Sequence, residues 1–368
     1  MGYVLVTGAT GLVGSSLCEM LVEKGYKVKA LVRESSDKSF LDTLKVDYVY
    51  ADLRNQEKLK EVLKEIEIIF HCAAQVSLLD TFDHDHASVN IQGTRNLLEA
   101  SVFNNVKRFI YVSTLGVLGI LKDHYNDGEE APYIKVGNPY YDTKIDAERL
   151  VLNYYNDRNL PVVVIRPGFI YGPRDRNGLP KLIPYLLKRQ LVYVGSGNND
   201  IALTSVKNLV KALLLAAEKE ESIGNIYNIT DDQGITANQF MKEICNILQV
   251  SEPRIHLPIP VAASLARTVE GVSKLLEKES QLNEYTIALI SNNHHFDISK
   301  AKKEIGYLPD DNFETDLREA ITWYLENHSQ EIKEAEKKLK ITKLTIASTV
   351  LAFATLIALS VRKKQRST

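Results

Sequence analysis

One stretch limits what this chain can fold into more than any other: Tyr3-Val4-Leu5-Val6-Thr7-Gly8-Ala9-Thr10-Gly11-Leu12-Val13-Gly14, where an apolar run breaks into three glycines at three-residue intervals. The run Tyr3 to Val6 reads as a buried parallel strand, and the glycines carry the chain through a tight turn into a helix reaching about Lys24. Amides at a helix N-terminus are donors without intrahelical partners, on the positive end of the helix dipole. Glycine lets a phosphate come close where a Cβ would block it. Gly8, Gly11 and Gly14 are therefore the expected cradle of a dinucleotide pyrophosphate.

The alternation that follows sets the fold class. Lys27 to Val32, Tyr48 to Tyr50, Ile66 to Phe70, Phe109 to Val112 and Val162 to Ile165 read as strands with helical segments between them, among them one from Val89 to Ala100. Strands and helices in alternation give a Rossmann-like α/β fold with a doubly wound parallel sheet and right-handed crossovers. The second strand ends at Arg33, followed by Glu34, Ser35 and Ser36. An acidic residue there would bind a ribose 2′-hydroxyl, whereas an arginine pairs with a 2′-phosphate, so NADP is favoured over NAD. Asp52 closes the third strand, where it could meet the adenine amine, and Ala73 and Ala74 are small where the cofactor would cross the sheet edge.

Composition excludes several classes. The 368 residues carry a formal net charge of −2, which gives no basic field for nucleic acid, and 45% hydrophobic content supports a sizeable core. Cys18, Cys72 and Cys245 lie far apart with no paired spacing, so neither a zinc site nor a disulfide framework is expected. His71 reads as a structural histidine, and the run Asp80 to His86 as a solvated loop without metal-ligand spacing. No signal peptide is expected, because the first strand starts almost at Met1, and Val6 spoils a myristoylation motif.

A second group of interest is Pro139-Tyr140-Tyr141-Asp142-Thr143-Lys144. Tyr140 and Lys144 are four residues apart at a helix start and so lie on one face. A tyrosine near pKa 10 is a poor base at neutral pH, but an adjacent ammonium stabilises the phenolate. The same lysine can hold the ribose hydroxyls of a nicotinamide. Of the 18 tyrosines only Tyr140 has a lysine at this spacing. A hydroxyl from Ser113-Thr114, at the end of the fifth strand, would orient the substrate oxygen and leave hydride transfer to the cofactor.

Together these residues resemble the extended short-chain dehydrogenase/reductase superfamily, the NAD-dependent epimerase/dehydratase relatives: Thr7-Gly8-x-x-Gly11-x-x-Gly14, Asp52-Leu53, Ser113-Thr114, Tyr140-x-x-x-Lys144 and Arg166-Pro167-Gly168-x-x-Tyr171-Gly172-Pro173 appear in that order. The resemblance implies Thr114, Tyr140 and Lys144 as catalytic residues. It implies Gly8, Thr10, Gly11, Leu12, Val13, Gly14, Arg33, Asp52, Leu53, Ala73, Ala74, Lys144 and Pro167 as cofactor contacts, with no metal. Thr114 stands where serine is commoner, Ser113 is the fallback, and Leu118 replaces a frequent aromatic residue. Across Gly172 to Asp175, Gly195 to Ala217, Tyr227 to Thr230 and Phe296 to Ala301, the chain is similar to the 3β-hydroxysteroid and sterol-4-carboxylate dehydrogenase branch, with dihydroflavonol-reductase-like proteins close by. The implied activity interconverts a secondary alcohol and a ketone on a sterol-like or other lipid-like substrate. The alternatives are a nucleotide-sugar epimerase or dehydratase, and a cofactor-binding membrane scaffold or sensor without turnover.

The second half reads as a small lobe over the cleft. Residues 1–175 form the nucleotide-binding core, with later returns to it, and 176–328 form the substrate lobe and closing elements. The apolar run Leu257 to Ala266, leading into a helix toward Leu276, is taken as lobe core rather than as a lip of the substrate mouth. Beyond a charged stalk at 329–343, the 18 residues from Leu344 to Val361 carry no charge, and Arg362-Lys363-Lys364 opens a basic tail at 362–368. As a helix the uncharged segment spans ~27 Å, close to the hydrocarbon thickness of a bilayer. A single transmembrane helix is expected, with the catalytic domain facing the cytoplasm. The expected partners are an apolar small molecule, the bilayer and a second copy in a homodimer.

Overall fold

A computed structural model of the chain describes residues 2–76, 85–275, 283–328 and 332. Seven strands, β1 (Tyr3–Thr7), β2 (Lys27–Val32), β3 (Asp47–Tyr50), β4 (Ile66–His71), β5 (Arg108–Val112), β6 (Val162–Pro167) and β7 (Ile226–Ile229), make one parallel sheet. Their order is β7-β6-β5-β4-β1-β2-β3. The chain therefore reverses direction of travel between β1 and β4, which opens a crevice at the carboxyl ends of those strands. The helices, in chain order, are α1 (Leu12–Glu23), α2 (Gln56–Val62), α3 (Thr94–Phe103), α4 (Pro139–Arg158), α5 (Leu179–Leu187), α6 (Val206–Glu218), α7 (Ala237–Leu248), α8 (Ile259–Leu275), α9 (Glu284–Ser291), α10 (Ser299–Glu304) and α11 (Phe313–Asn327).

The apolar pattern explains the layers. Val162, Val163, Val164 and Ile165 are all fully buried, as a strand covered on both faces must be. One face is covered by Leu17 and Leu21 of α1 with Leu209 and Leu213 of α6. The other is covered by Leu59 of α2, Leu97 of α3 and Val151 of α4. A separate core of Ile183, Phe240, Ile244, Leu317 and Ile321 joins α5, α7 and α11. Two short parallel pairs link the parts: Phe169–Tyr171 with Leu203–Ser205, and His124–Asp127 with His294–Phe296.

The structure departs from the sequence expectations in two places. The helix expected from Val89 begins earlier, as a π-helical turn over Ala87–Gly93 that passes into α3. Its wide turn turns Asn90 toward Gln75, whose backbone N–H donates to Asn90 Oδ1 at 2.8 Å. The run Leu257 to Ala266 is only half core: Ala262 and Ala266 are buried, whereas Ile259, Val261 and Leu265 stand in solvent. Of the run from Asp80, positions 80–84 lie outside the described residues, and Asp85 pairs with Arg54 at 3.5 Å. The uncharged segment Leu344 to Val361 also lies outside them, and among the described residues no helix is long and apolar enough to cross a membrane.

A buried ion pair joins α4 to the sheet. Glu148 and Arg166 are 0% and 1% exposed, with Arg166 Nη2 2.6 Å and Nε 2.9 Å from Glu148 Oε1. Removing one member leaves a buried, unpaired charge, which costs about 3–5 kcal/mol, whereas replacing both by apolar residues costs less. Arg166→Leu is therefore expected to lower the urea midpoint by that equivalent. The Glu148→Leu/Arg166→Leu double variant should unfold later than Arg166→Leu alone.

Candidate active site

The glycine turn is built so that side chains cannot enter it. Gly8 has φ +64°, and a Cβ there would lie 2.8 Å from the Ala73 backbone; at Gly14 a Cβ would lie 2.2 Å from the Gly8 carbonyl oxygen. Gly11 occupies the N-cap of α1 with no side chain capping it, and no acidic residue falls in the first turn. The positive end of α1 is thus left for an outside anion, which suits a pyrophosphate. Thr7, His71 and Thr94 brace the turn from below. Thr94 Oγ1 donates to the Asn90 carbonyl, so His71 Nε2 donates to Thr94 Oγ1 at 2.9 Å and its Nδ1 accepts from Thr7 Oγ1 at 2.7 Å. Burial pushes the His71 pKa down to about 3, with Lys144 adding to the effect, which keeps the ring neutral. Thr7 Oγ1 in turn accepts the Ala73 N–H at 3.2 Å.

A cleft of about 660 Å³ runs from this turn across the crevice. Gly8, Thr10, Gly11, Leu12, Val13, Gly14, Arg33, Asp52, Leu53, Ala73, Ala74, Pro167, Thr114 and Tyr140 all line it. Lys144 alone among the expected site residues lies behind the wall, 2% exposed.

At the reacting end two adjacent hydroxyls have different occupations. Ser113 Oγ donates to Glu148 and is engaged in the buried ion-pair network. Thr114 Oγ1 accepts the Gly116 N–H at 3.1 Å, which fixes the oxygen and leaves its own proton to donate. Asn138 caps α4 by accepting from the N–H groups of Tyr140 and Tyr141, and so sets where Tyr140 starts the helix. Lys144 donates to the Val112 carbonyl at 2.6 Å and lies 4.1 Å from the centre of the Tyr111 ring. The lowering of the Tyr140 pKa expected from Lys144 is not what this packing gives. Burial pushes the phenol up to about 12, because an anion is costly there, and pushes the Lys144 ammonium down to about 7.

At the far end, Arg33 is exposed on the cleft rim and its backbone N–H donates to Ser36 Oγ. Asp52 takes a bidentate grip from Arg54, with distances of 2.9 and 2.7 Å, and this pairing holds its carboxyl down at about 2. Two guanidinium groups, Arg33 and Arg54, therefore stand on the rim of this end.

Sequence reasoning missed three residues that shape the site. Asn90 donates from Nδ2 to Gln75 O and to Thr143 Oγ1, tying the crossing loop to α4; the available signal was an amide on the apolar side of a helical run. Arg174, at φ +69°, donates to Ser15, Ser16 and Glu19 on α1 and lies 3.7 Å from the centre of the Phe40 ring. Glu148, one turn after Lys144, had no sequence signal beyond that spacing. The substrate side of the cleft is apolar, with Ile120, Ile201, Leu289 and Phe296 on its wall and His294 beside them.

A parallel sheet with an uncapped glycine turn at its switch point, and a Tyr-x-x-x-Lys helix across the crevice, defines the extended short-chain dehydrogenase/reductase class. The chain belongs to the NAD dependent epimerase/dehydratase family, whose model matches residues 4–230. It is 32% identical over 316 residues to mouse (Mus musculus) sterol-4-alpha-carboxylate 3-dehydrogenase, decarboxylating, covering 83% of this chain and 86% of that protein. It is 30% identical to 3beta-hydroxysteroid-dehydrogenase/decarboxylase isoform 1 of Arabidopsis thaliana, over 97% of this chain and 87% of that one. Among solved structures, the crystal structure of gox2253 superimposes with a TM-score of 0.75 at 28% identity, covering 88% of this chain and 98% of that chain. The chain is thus an NAD(P)-dependent dehydrogenase/reductase of the extended short-chain type.

The cradle gives a direct test. Gly14→Ala pushes a methyl against the Gly8 carbonyl and displaces the turn. Its dinucleotide Kd, measured by quenching of protein fluorescence, is expected to rise at least ~10-fold, the equivalent of about 1.4 kcal/mol. An unchanged Kd would dissociate the turn from the nucleotide.

Proposed function

We propose that the chain is a membrane-tethered oxidoreductase that interconverts a secondary alcohol and a ketone on a sterol-like or other lipid-like substrate. NADP is the preferred cofactor. The observation that carries this reading is the continuity of one cleft, from the glycine turn through Thr114 and Tyr140 to a wall of Ile120, Ile201, Leu289 and Phe296. A polar reacting centre backed by aliphatic and aromatic surface suits a hydroxyl or carbonyl on an apolar body. The names of the mouse and Arabidopsis relatives, both sterol or steroid dehydrogenases, support the same substrate class.

When bound, the nicotinamide supplies or accepts the hydride. The rest of the work falls to the chain's own groups. Tyr140, raised to about 12, is a neutral phenol at pH 7 and so a proton donor to a carbonyl oxygen gaining negative charge, which favours the reductive direction. Thr114, its oxygen fixed by the Gly116 N–H, donates a second hydrogen bond to the same oxygen. Lys144 gives one N–H to Val112 and has two more, which we assign to the ribose hydroxyls. Arg33, with Ser36 beside it on the rim, is assigned to the 2′-phosphate. Uncharged residues 344–361 provide the tether, and a bilayer anchor places the enzyme where such a substrate dissolves.

The deciding experiment offers NADPH and NADH to the full chain in detergent with a panel of sterol ketones, other lipid ketones and nucleotide sugars. Net oxidation of NADPH by a lipid ketone is expected, with Tyr140→Phe slower by ~10²–10⁴. Turnover of nucleotide sugars alone, without net oxidation, would overturn the reading, and equal use of both cofactors would remove the role given to Arg33. A pH profile adds a second check. The Lys144 ammonium, lowered by burial to about 7 against the opposing pull of Glu148 and Cys72, is charged below that pH and lost above it. For the reductive reaction, kcat/KM is expected to be flat below about pH 7 and then to fall with rising pH, by ~10-fold per unit once well above it. A profile still flat at pH 9 would show that Lys144 does not lose an essential proton near pH 7.

A further inference from the structure

Two polar side chains of the cleft take no part in the reaction described above and have a polar atom without a partner inside the protein. Tyr141 lines the cleft and is 4% exposed, and its hydroxyl makes no hydrogen bond among the described residues. Its ring lies over Gly116, two residues after Thr114, where a Cβ would come within 2.2 Å of Tyr141 Cε1. His294 lines the same cleft and is 6% exposed, and its Nε2 has no partner. Its strand also carries Phe296, which packs with Leu115 and Leu118 of the turn that holds Gly116. Both side chains thus belong to the wall built around the turn after Thr114. Their polar neighbours are occupied. His124 is engaged at Nδ1 by Asp127 at 2.9 Å and at Nε2 by the Gly119 carbonyl at 2.8 Å, and the Asp175 carboxylate accepts the N–H groups of Asn177, Gly178 and Leu179. Among the described residues that hold a buried, unpaired side-chain nitrogen or oxygen, His294 alone lines the cleft. Buried polar groups are rarely left unpaired, so this wall is built for a hydrogen-bonding ligand.

We propose that Tyr141 and His294 recognise a second hydroxyl of the substrate, apart from the oxygen that reacts, so that the lipid-like substrate is a hydroxy-ketone or the matching diol. The proposal rests on the alcohol–ketone reading above and adds a second polar function to the substrate. The chemistry of the two groups selects a hydroxyl. Burial, with the neighbouring His124 second, pushes the His294 pKa down to about 4, against a hydrogen bond to the Ala288 backbone. The ring is therefore neutral at pH 7. The nitrogen bonded to Ala288 holds the proton, and Nε2 keeps its lone pair as an acceptor. A hydroxyl donates to that lone pair and also accepts from the Tyr141 phenol. A carboxylate only accepts, so it would meet the Nε2 lone pair without a proton between them. A substrate with no second oxygen would leave both groups buried and unpaired, which a site of this kind rejects strongly.

The test measures oxidation of NADPH by the full chain in detergent with a matched set of substrates. These are a ketosteroid with no further oxygen, the same ketosteroid with one hydroxyl added at different ring positions, and one carrying a carboxyl instead. At least one hydroxylated ketone is expected to have a kcat/KM at least ~10-fold above that of the parent, mainly through a lower KM. That ratio is expected to fall toward one in Tyr141→Phe and in His294→Phe. The first variant removes a single oxygen, and the second keeps a ring stacked on His124, 5.9 Å away between centres. A merely structural role would slow all substrates alike and leave the ratio intact, so a preference that survives in both variants overturns the assignment. Equal efficiency with the parent and every hydroxylated ketone overturns the second hydroxyl but leaves the alcohol–ketone reading standing. Preference for the carboxylated ketone overturns the neutral site. Failure to turn over any of these ketones overturns that reading and this proposal together.

Discussion

A carboxylate and a guanidinium enclosed between α4 and β6 hold the reactive end of this molecule together. Desolvating Glu148 and Arg166 is costly, and the cost is offset because their hydrogen-bonding capacity is filled almost completely. Glu148 accepts from Ser113, Tyr133 and two nitrogens of Arg166, whose third nitrogen reaches the Glu129 carbonyl. Glu129 itself accepts the Asn228 N–H on β7. One ion pair thus sets the helix bearing Tyr140 and Lys144 against three strands. It also separates the two hydroxyls of Ser113-Thr114, engaging the first and leaving the second in the cleft.

The nucleotide end depends on close approach rather than on charge. The backbone of Gly8 lies against Ala73 and Gly14 against Gly8, so β1, β4 and α1 meet with no side chain between them. Arg174 extends this arrangement to the substrate side by fastening the loop after β6 to α1 through Ser15, Ser16 and Glu19. Motion of that loop is therefore coupled mechanically to the helix whose N-terminus faces the cofactor.

Much of this was legible in the chain. Continuous apolar runs such as Val162 to Ile165 read as strands covered on both faces, and they are. The residues that line the cleft around the glycine turn were legible because strand ends and glycine turns are local features. What was hidden depends on distance. The engagement of Ser113 requires Glu148, 35 residues away, and the clamp by Arg174 requires α1, more than 150 residues away. The sign of the Tyr140 shift was misread for the same reason: adjacency to a lysine is a local fact, whereas the burial that raises the phenol is a property of the whole fold. The run from Leu257 was misassigned because apolar composition alone does not say which side of a helix finds a partner.

The pairing of His294–Phe296 with His124–Asp127 has a consequence for how the enzyme comes into being. These segments are 170 residues apart, yet His124, His294 and Phe296 line the same cleft. During synthesis the first four strands and the glycine turn emerge long before the segment that finishes the substrate wall. A chain halted within α8 therefore carries the glycine cradle, Ile120 and Ile201 but lacks Leu289, His294 and Phe296 of the cleft wall. The long connection also makes this contact among the slowest to form, since joining distant segments must overcome the entropy of the chain between them.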